Sequence, residues 1–226
     1  MAGQMVEFPS NGGTTNGYLA TPAEGKGPGV IVIQEWWGLV PHIKDLCDRF
    51  ADEGFVALAP DLYHGETTTS PDEAGKLMMS MRIDEAEKDL RGAATFLLNH
   101  NATQGDKVGA VGFCMGGALS LYTATKNPQV GASVVFYGGH PNVHPDLPNL
   151  YAPVLGLYAE RDGFVTPDSV RELERKLNEL GKSAEIHIYP AVDHGFFNDT
   201  RPTVYNEEAA KDAWQRVLEF FAHHLK

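Results

Sequence analysis

The stretch VGAVGFCMGGALS, from Val108 to Ser120, places a cysteine between glycines where an apolar run gives way to a helical pattern. The run KVGAVGF (107–113) is typical of a buried strand, and residues 116–126 are typical of a helix. A G-x-C-x-G-G motif between a strand and a helix matches a nucleophile elbow, a sharp turn in which glycines avoid collisions with neighbouring backbone. The stretch predicts that Cys114 lies at the carboxyl end of a strand in an α/β sheet.

The same alternation of short apolar runs and helical patterns continues along the chain. It predicts an α/β fold with a mostly parallel central sheet, helices on both faces and one domain over residues 1–226. The turn-rich segment SNGGTTN predicts an N-terminal antiparallel hairpin with strands around 5–8 and 16–20. The other predicted strands are 29–34, 55–60, 107–113, 131–138, 152–159 and 184–190, and the predicted helices are 41–53, 84–99, 116–126, 167–180 and 204–224. Residues 64–81 do not fit this alternation and are expected to cross the carboxyl edge of the sheet.

Composition narrows the possible partners. The 226 residues carry a formal net charge of −12, and the 18 Lys and Arg residues form no basic run. Nucleic acid is therefore not expected as a partner. The chain has neither a secretory leader pattern nor a long apolar run, so we expect a cytoplasmic protein without a membrane partner. Its two cysteines, Cys47 and Cys114, are expected to be free thiols.

Two further polar residues follow predicted strands and fit a role beside Cys114. Asp162 comes after the strand 152–159, and His194 comes after the strand 184–190. Cys, Asp, His is the order of triad residues along an α/β-hydrolase chain. Singly, the aspartate could cap a turn, the histidine could lie on the surface, and the cysteine could merely pack in the core. Together they predict a nucleophile, a base and an orienting acid.

The segment VIVIQEWWGLVPHI ends another predicted strand with a carboxylate, Glu35. In α/β-hydrolases the loop after this strand provides one backbone N–H of the oxyanion hole, and the residue after the nucleophile provides the other. The backbone N–H groups of Trp36 and Met115 are therefore the candidates for the oxyanion hole. Burial beside the two tryptophans would raise the pKa of Glu35 unless it is paired, which suits a carboxyl group that exchanges a proton or hydrogen bond with Cys114. Trp37 either packs in the core or contacts substrate.

With these residues in the motifs QEWWG, GFCMGG, ERDGFV and DHGFF, and with ALAPDLYHG after the second core strand, the chain resembles the dienelactone hydrolase family. The resemblance covers nearly the whole chain. It implies an α/β-hydrolase fold, a triad of Cys114, His194 and Asp162, and a Glu35 that holds the resting thiol and moves away when substrate binds. It also implies a small-molecule ester or lactone as substrate.

The chain departs from this family where the substrate is recognised. The best known members bind a substrate carboxylate with two arginines, one after the second core strand and one four residues after the catalytic histidine. Residues 64–81 contain no arginine, and position 198 is Asn198. Arg82 and Arg201 are possible substitutes, although a surface ion pair is the expected role of each. The candidate substrate contacts are Trp37, Tyr137, Phe197, Asn198 and Arg201.

The sequence thus predicts a carboxylic ester hydrolase that works through a thioester intermediate. No cofactor is expected, and no metal, because His140 and His144 lack a third ligand at a recognisable spacing. The expected assembly is a monomer or a small homo-oligomer. A thiol-based redox sensor, or a non-catalytic binding protein on a hydrolase fold, is the alternative.

Overall fold

The computed structural model describes residues 3–225, and its strands form one sheet of eight in the order β1-β2-β4-β3-β5-β6-β7-β8. The first two pairings, β1 with β2 and β2 with β4, are antiparallel, and all the others are parallel. The predicted α/β architecture is confirmed. The strands are β1 (Gln4–Ser10), β2 (Gly13–Ala20), β3 (Gly27–Ile33), β4 (Val56–Pro60), β5 (Thr103–Phe113), β6 (Val130–Phe136), β7 (Val154–Ala159) and β8 (Ala184–Tyr189).

Helices cover both faces of the sheet because its central strands are apolar on both sides. Along β3, Val30 and Val32 join the apolar cluster beneath α1 and α6, whereas Ile31 and Ile33 join the cluster beneath α3, α4 and α5. Strand side chains alternate between the two faces, so a wholly apolar strand needs cover on each side. The helices are α1 (Pro41–Asp52), α2 (Pro71–Ser80), α3 (Ile83–Asn99), α4 (Met115–Lys126), α5 (Pro167–Glu179) and α6 (Glu207–Leu225). Within residues 3–225, none of these is long and apolar enough to cross a bilayer.

The N-terminal hairpin is present, but its turn is shorter than the sequence suggested. Asn11 and Gly12 have φ angles of 52° and 77°. Two successive residues with positive φ, of the type Asn-Gly, match the tight turn whose twist suits antiparallel strands. Most of SNGGTTN therefore belongs to the strands β1 and β2 rather than to a loop.

The register of the parallel strands brings the candidate residues to one edge. Ile33 of β3 pairs with Gly112 of β5, and Gly112 pairs with Val135 of β6. Because parallel strands end at the same edge, the loops after β3, β5, β7 and β8 meet there. These loops carry Glu35, Cys114, Asp162 and His194.

Residues 64–81 include α2 and pack against two other parts of this edge. The backbone N–H of Thr68 donates to the carbonyl of Trp37 over 3.1 Å. The ring nitrogen Nε2 of His140 lies 3.1 Å from the carbonyl oxygen of Met78. The segment is thereby held to the loop after β3 and to the loop after β6.

Candidate active site

Cys114 lies in a strained turn between β5 and α4. Its φ and ψ angles are 54° and −119°, a conformation that residues other than glycine seldom adopt. A Cβ atom added at Gly112 would lie 1.8 Å from the carbonyl oxygen of Gly116, and one added at Gly116 would lie 2.4 Å from that of Ile33. The two glycines are therefore required by close backbone contact, and the turn has the geometry of a nucleophile elbow.

His194 and Asp162 form a short hydrogen bond at the ends of neighbouring strands. The Nδ1 atom of His194 lies 2.6 Å from Oδ2 of Asp162. The other oxygen, Oδ1, accepts hydrogen bonds from the backbone N–H groups of Phe164 and Val165, each over 2.8 Å. These contacts fix the carboxylate, and the carboxylate in turn orients the imidazole.

Cys114 and His194 line the same cavity, and the neighbouring sulfur atom acts on the pKa of the imidazole. Burial lowers the pKa of His194, but the hydrogen bond with Asp162 and the charges of Asp162 and Cys114 outweigh burial and raise it to about 10. Burial acts in the opposite sense on Asp162, yet the hydrogen bond and charge of His194 hold the pKa of that carboxyl below its usual range. Near neutral pH, the imidazole is thus a cation between an aspartate anion and the sulfur atom.

Two backbone N–H groups beside Cys114 are suited to bind an anion. In the described part of the chain, the hydrogen bonds of turns, loops and caps use neither Trp36 nor Met115 as a backbone donor. Met115 is the first residue of α4, where the helix dipole places partial positive charge. The arrangement can stabilise an oxyanion that forms on a carbonyl attacked by the sulfur atom.

Glu35 is buried beside these residues, and it is bonded to Asn198. The Nδ2 atom of Asn198 donates to Oε2 of Glu35 over 2.7 Å. Burial raises the pKa of Glu35, although the hydrogen bond from Asn198 and the positive charges of Arg201 and His194 oppose this effect. The sequence suggested that this carboxyl group holds the resting thiol. Glu35 and Cys114 line the same cavity, and the role of this carboxyl group towards the thiol stays a prediction.

A cavity of about 370 Å³, here named the first cavity, opens over Cys114. Its volume is in the range of small-molecule sites. Glu35, His194 and Arg201 line it, together with Met78 and Phe164, which the sequence analysis missed. Phe164 follows Asp162 by two positions and could have been found from that spacing. Met78 comes from α2, and no local pattern indicates that it reaches the site.

A second cavity, of about 430 Å³, shares Arg201 with the first. The guanidinium of Arg201 lies 5.7 Å from the ring centroid of Trp37, which also lines the second cavity. Among residues 3–225, Arg201 forms no salt bridge of the surface type that the sequence suggested, and its positive charge acts instead on the buried Glu35. Arg82, in contrast, pairs with Asp84 and Glu85 on the surface.

Tyr137 and Phe197 lie in the core behind the imidazole, not along the first cavity. The ring of Tyr137 is fully buried, and its centroid lies 4.9 Å from that of His194. Phe197 packs on Phe113 and Phe136 at centroid distances of 5.5 and 4.6 Å. Contact of either side chain with substrate therefore stays a prediction. They support the loop that carries the histidine.

His140 is held by hydrogen bonds to backbone groups, and Cys47 is buried in the core. His140 bonds to the Met78 carbonyl, and its other ring nitrogen accepts from the N–H of Asn142. Across residues 3–225, no group of three or more His, Cys, Asp and Glu side chains is arranged to hold a metal ion. Both cysteines are free thiols, as expected, and Cys47 is fully buried in α1.

The strand order, the sharp turn after β5 and the polar residues after β7 and β8 define an α/β-hydrolase fold. The model of the dienelactone hydrolase family matches residues 15–225. The chain therefore belongs to the dienelactone hydrolase family and is a hydrolase.

Relatives along the full length agree with this assignment. "Protein usf" of Aquifex pyrophilus is 45% identical over 230 residues, covering 99% of each chain. A "Putative carboxymethylenebutenolidase" of Aquifex aeolicus is 41% identical, covering 99% of this chain and 100% of the relative. Among solved structures, a "Putative Dienelactone Hydrolase" of Klebsiella pneumoniae superposes with a TM-score of 0.88 at 36% identity, covering 99% of this chain and all of the other.

Proposed function

We propose that this protein hydrolyses ester or lactone bonds of small molecules through a triad of Cys114, His194 and Asp162. The observation that carries the proposal is the hydrogen bond between His194 and Asp162 on the same cavity as the sulfur atom of Cys114. Its support also includes the elbow conformation of the cysteine and a cavity directly above the sulfur. A nucleophile, a base and an acid in hydrogen-bond contact are the requirements for covalent catalysis on an acyl group.

The first half of the reaction forms a thioester. The thiolate of Cys114 attacks the carbonyl carbon, and the electron pair of the C=O bond moves to oxygen, where the N–H groups of Trp36 and Met115 bind the oxyanion. As the C–O bond breaks, the imidazolium of His194 gives its proton to the leaving alkoxide. The acyl group is then bonded to sulfur. The alcohol has left, or, for a lactone, stays attached to the acyl group.

The second half releases the acid. With sulfur acylated, His194 is neutral and accepts a proton from water as that water attacks the thioester carbonyl. The C–S bond breaks, the thiolate returns, and the carboxylic acid product ionises. Asp162 keeps the Nδ1–H tautomer of the imidazole in both halves. Esters suit this nucleophile better than amides, since an amine leaves from the adduct less readily than a thiolate does.

Arg201 supplies a cation at the edge of the first cavity and is the proposed contact for a carboxylate on the substrate. Within residues 3–225 the guanidinium of Arg201 forms no salt bridge, although its charge acts on Glu35, and it can pair with an anionic ligand. Its stacking on Trp37 limits the motion of the side chain. The proposed substrate class is therefore a small ester or lactone, with those that carry a free carboxylate bound more tightly.

Hydrolysis of 4-nitrophenyl acetate tests the proposal. We expect turnover by the wild-type protein and a loss of about 1,000-fold or more in kcat in Cys114→Ala and His194→Ala, as for other triads. Cys47→Ala is the matched control, because it removes the other thiol from the fully buried position in α1. It should keep kcat near the wild-type value.

Mass spectrometry should detect an acyl group on Cys114 when the reaction is quenched early. Absence of turnover across short esters and lactones would overturn the proposal. If Cys114 then reacted readily with peroxide, a redox role would replace it. If Cys114 reacted with iodoacetamide as slowly as the buried Cys47, a non-catalytic binding protein would be indicated instead.

A further inference from the structure

The loop after β6 contains His140, a buried residue that the proposed mechanism does not use. Its side chain is 8% exposed, and each of its two ring nitrogens has a backbone partner. One partner belongs to its own loop and the other to α2. Because the ring is held on both sides, it forms a fixed contact between these two parts of the molecule.

The partners of His140 define which ring nitrogen carries the hydrogen. The backbone N–H of Asn142 donates to Nδ1 over 3.0 Å, so Nδ1 presents a lone pair. The hydrogen is therefore on Nε2, which donates to the carbonyl oxygen of Met78 over 3.1 Å. Burial lowers the pKa of His140, which keeps the imidazole neutral near pH 7. His140 is thus a hydrogen-bond donor to α2.

This donor is important for α2, because few other contacts fix the helix. The carbonyl of Met78 lies in the last turn, where carbonyl groups lack partners within a helix, and a histidine donor satisfies one of them. Among residues 3–225, it is the only hydrogen bond that α2 receives from outside the segment 64–81. Only Ala74 and Met78 of the helix are buried. An element with so little buried apolar contact moves readily when such a bond is lost.

The loop that carries His140 is itself tied to the turn that carries the sulfur atom. The backbone N–H of Gly139 donates to the carbonyl of Cys114 over 3.2 Å. A Cβ atom added at Gly139 would lie 2.6 Å from a methyl carbon of Val165 and 3.0 Å from the ring of Phe164. The loop after β6 therefore packs closely on the loop after β7 as well. Through His140, it sets the position of α2 relative to both.

Met78 connects this contact to the first cavity. The residue whose carbonyl accepts from His140 is also the one whose side chain lines the cavity, together with Cys114 and Phe164. The cavity volume is about 370 Å³. A displacement of the last turn of α2 would move one wall of this cavity and change the size of the molecule that fits over the sulfur atom.

We propose that His140 is a positioning residue that holds α2 against the first cavity, so that Met78 limits the size of the ester or lactone that reaches Cys114. The inference rests on the proposed function and adds a determinant of substrate size to it. Compact acyl groups fit beside a fixed wall. Bulkier groups enter more readily when the helix is released.

Two maleimides of different size test the proposal without any hydrolysis. N-methylmaleimide and N-cyclohexylmaleimide both modify a thiol, and mass spectrometry of the whole protein's peptides follows the reaction at Cys114. We expect His140→Asn to reduce the preference for the smaller reagent about three- to tenfold, the factor that corresponds to the net free energy of one hydrogen bond. The asparagine Oδ1 still accepts from the N–H of Asn142, but the side chain is too short to reach the carbonyl of Met78.

His140→Gln is the conservative variant. The NH₂ group of glutamine takes the place of Nε2–H, and it should restore the wild-type preference between the two maleimides. His144→Asn is the matched control, because it makes the same change at an exposed histidine of the same loop. It should leave the preference unchanged.

Met78→Ala removes the wall itself and serves as the test if His140→Asn does not fold. On its own it should reduce the preference for the smaller maleimide. Adding His140→Asn in this background should have little further effect, because the histidine acts through Met78. In turnover, His140→Asn should lower KM for 4-nitrophenyl trimethylacetate relative to KM for 4-nitrophenyl acetate, and it should leave the ratio of the two kcat values unchanged.

An unchanged preference in both His140→Asn and Met78→Ala would overturn the inference. Equal effects of His140→Asn and His140→Gln would do so as well, since the effect would then not depend on the donor to α2. Maleimides react with the thiol whether or not an ester is hydrolysed. Failure of the positioning role can therefore be told apart from failure of the proposed function, which is measured by turnover of 4-nitrophenyl acetate.

Discussion

At the scale of single residues, the Asp162 carboxylate has partners for both of its oxygens. One oxygen contacts His194, and the other accepts two backbone N–H groups. The carboxylate cannot rotate without breaking three hydrogen bonds, each charge-assisted and worth about 1.5–3 kcal/mol. The neighbouring Asp193 is exposed and has no such fixed contacts with the imidazole. The choice of acid is thus determined by the loop after β7.

Arg201 gives a test of substrate choice at this scale. We expect Arg201→Gln to raise KM about 10- to 100-fold for the 4-nitrophenyl monoester of succinic acid, because a charge-assisted bond of about 1.5–3 kcal/mol is lost. KM for 4-nitrophenyl butyrate, which has a similar length and no free carboxylate, should change little. Steady-state kinetics with the two esters measures the difference.

Arg82→Gln is the matched control for this experiment. Its guanidinium already pairs with Asp84 and Glu85 on the surface, so neither ester should be affected. Equal rises in KM for both esters in Arg201→Gln would contradict the proposed carboxylate contact. They would indicate instead that Arg201 shapes the cavity together with Trp37.

The sequence was informative about residues whose place follows from where strands end. Asp162 and His194 follow adjacent parallel strands, so their proximity could be expected before any coordinates, and they lie 2.6 Å apart. The bond between Glu35 and Asn198 could not be expected, since it joins loops that are distant in sequence and depends on which way an amide faces. Side-chain orientation of this kind is set by packing, which a pattern of residue types does not encode.

At the scale of elements, the loop after β8 is anchored by aromatic packing. Phe196 and Phe197 are buried against Phe136, and the ring of Tyr137 contacts the imidazole at a tilted angle. These rings sit directly behind His194 and leave its outer edge facing the first cavity. The position of the base therefore depends on core packing as well as on its hydrogen bonds.

The two phenylalanines nearest the site should respond differently to truncation. Phe197→Ala opens a space in the core and should lower the free energy of unfolding by about 3–5 kcal/mol. Phe164 is 57% exposed and lines the first cavity, so Phe164→Ala should change stability by less than about 0.5 kcal/mol while altering KM. Urea unfolding and steady-state kinetics on both variants measure this contrast. A KM effect without loss of stability in Phe197→Ala would restore its role as a substrate contact.

Most elements were predictable, since each central strand is an apolar run and the helices α1 and α5 begin with a proline. Pro167 begins α5, and the residue before it, Thr166, accepts a hydrogen bond from the N–H of Ser169. The ends of the two hairpin strands were predicted less accurately, because glycine and threonine suit both a turn and an edge strand. Its turn is defined by the backbone angles of Asn11 and Gly12, which the letters alone do not give.

At the scale of the whole molecule, the ion pair of the triad links stability to pH. An unfolded histidine titrates at about 6.5, whereas His194 in the folded state has a pKa of about 10. The folded state thus binds this proton more tightly. The contribution is fully present below about pH 6.5 and is lost as the pH rises towards 10. Asp162 acts at the acid end, where its contribution is lost as pH falls through its lowered pKa.

Thermal unfolding of His194→Gln tests this linkage. The wild-type Tm should exceed that of the variant at about pH 6, and the difference should narrow steadily towards about pH 10. His223→Gln, a change of the same type at an exposed position of α6, should give no such trend. A gap between wild type and His194→Gln that stays constant over this range would show that the histidine does not gain a proton on folding.

The backbone of Cys114 has a consequence for how the protein can be improved. A residue other than glycine at these angles raises the free energy of the folded state by about 1–3 kcal/mol, whereas a whole domain is stable by only about 5–15 kcal/mol. The strained conformation that positions the sulfur atom therefore lowers the free energy of unfolding by a noticeable fraction. The protein's tolerance to heat and to mutation falls with it. Substitutions that relax the junction of β5 and α4 would yield a sturdier but less active protein. Thermostabilisation is better directed at surface loops remote from this turn.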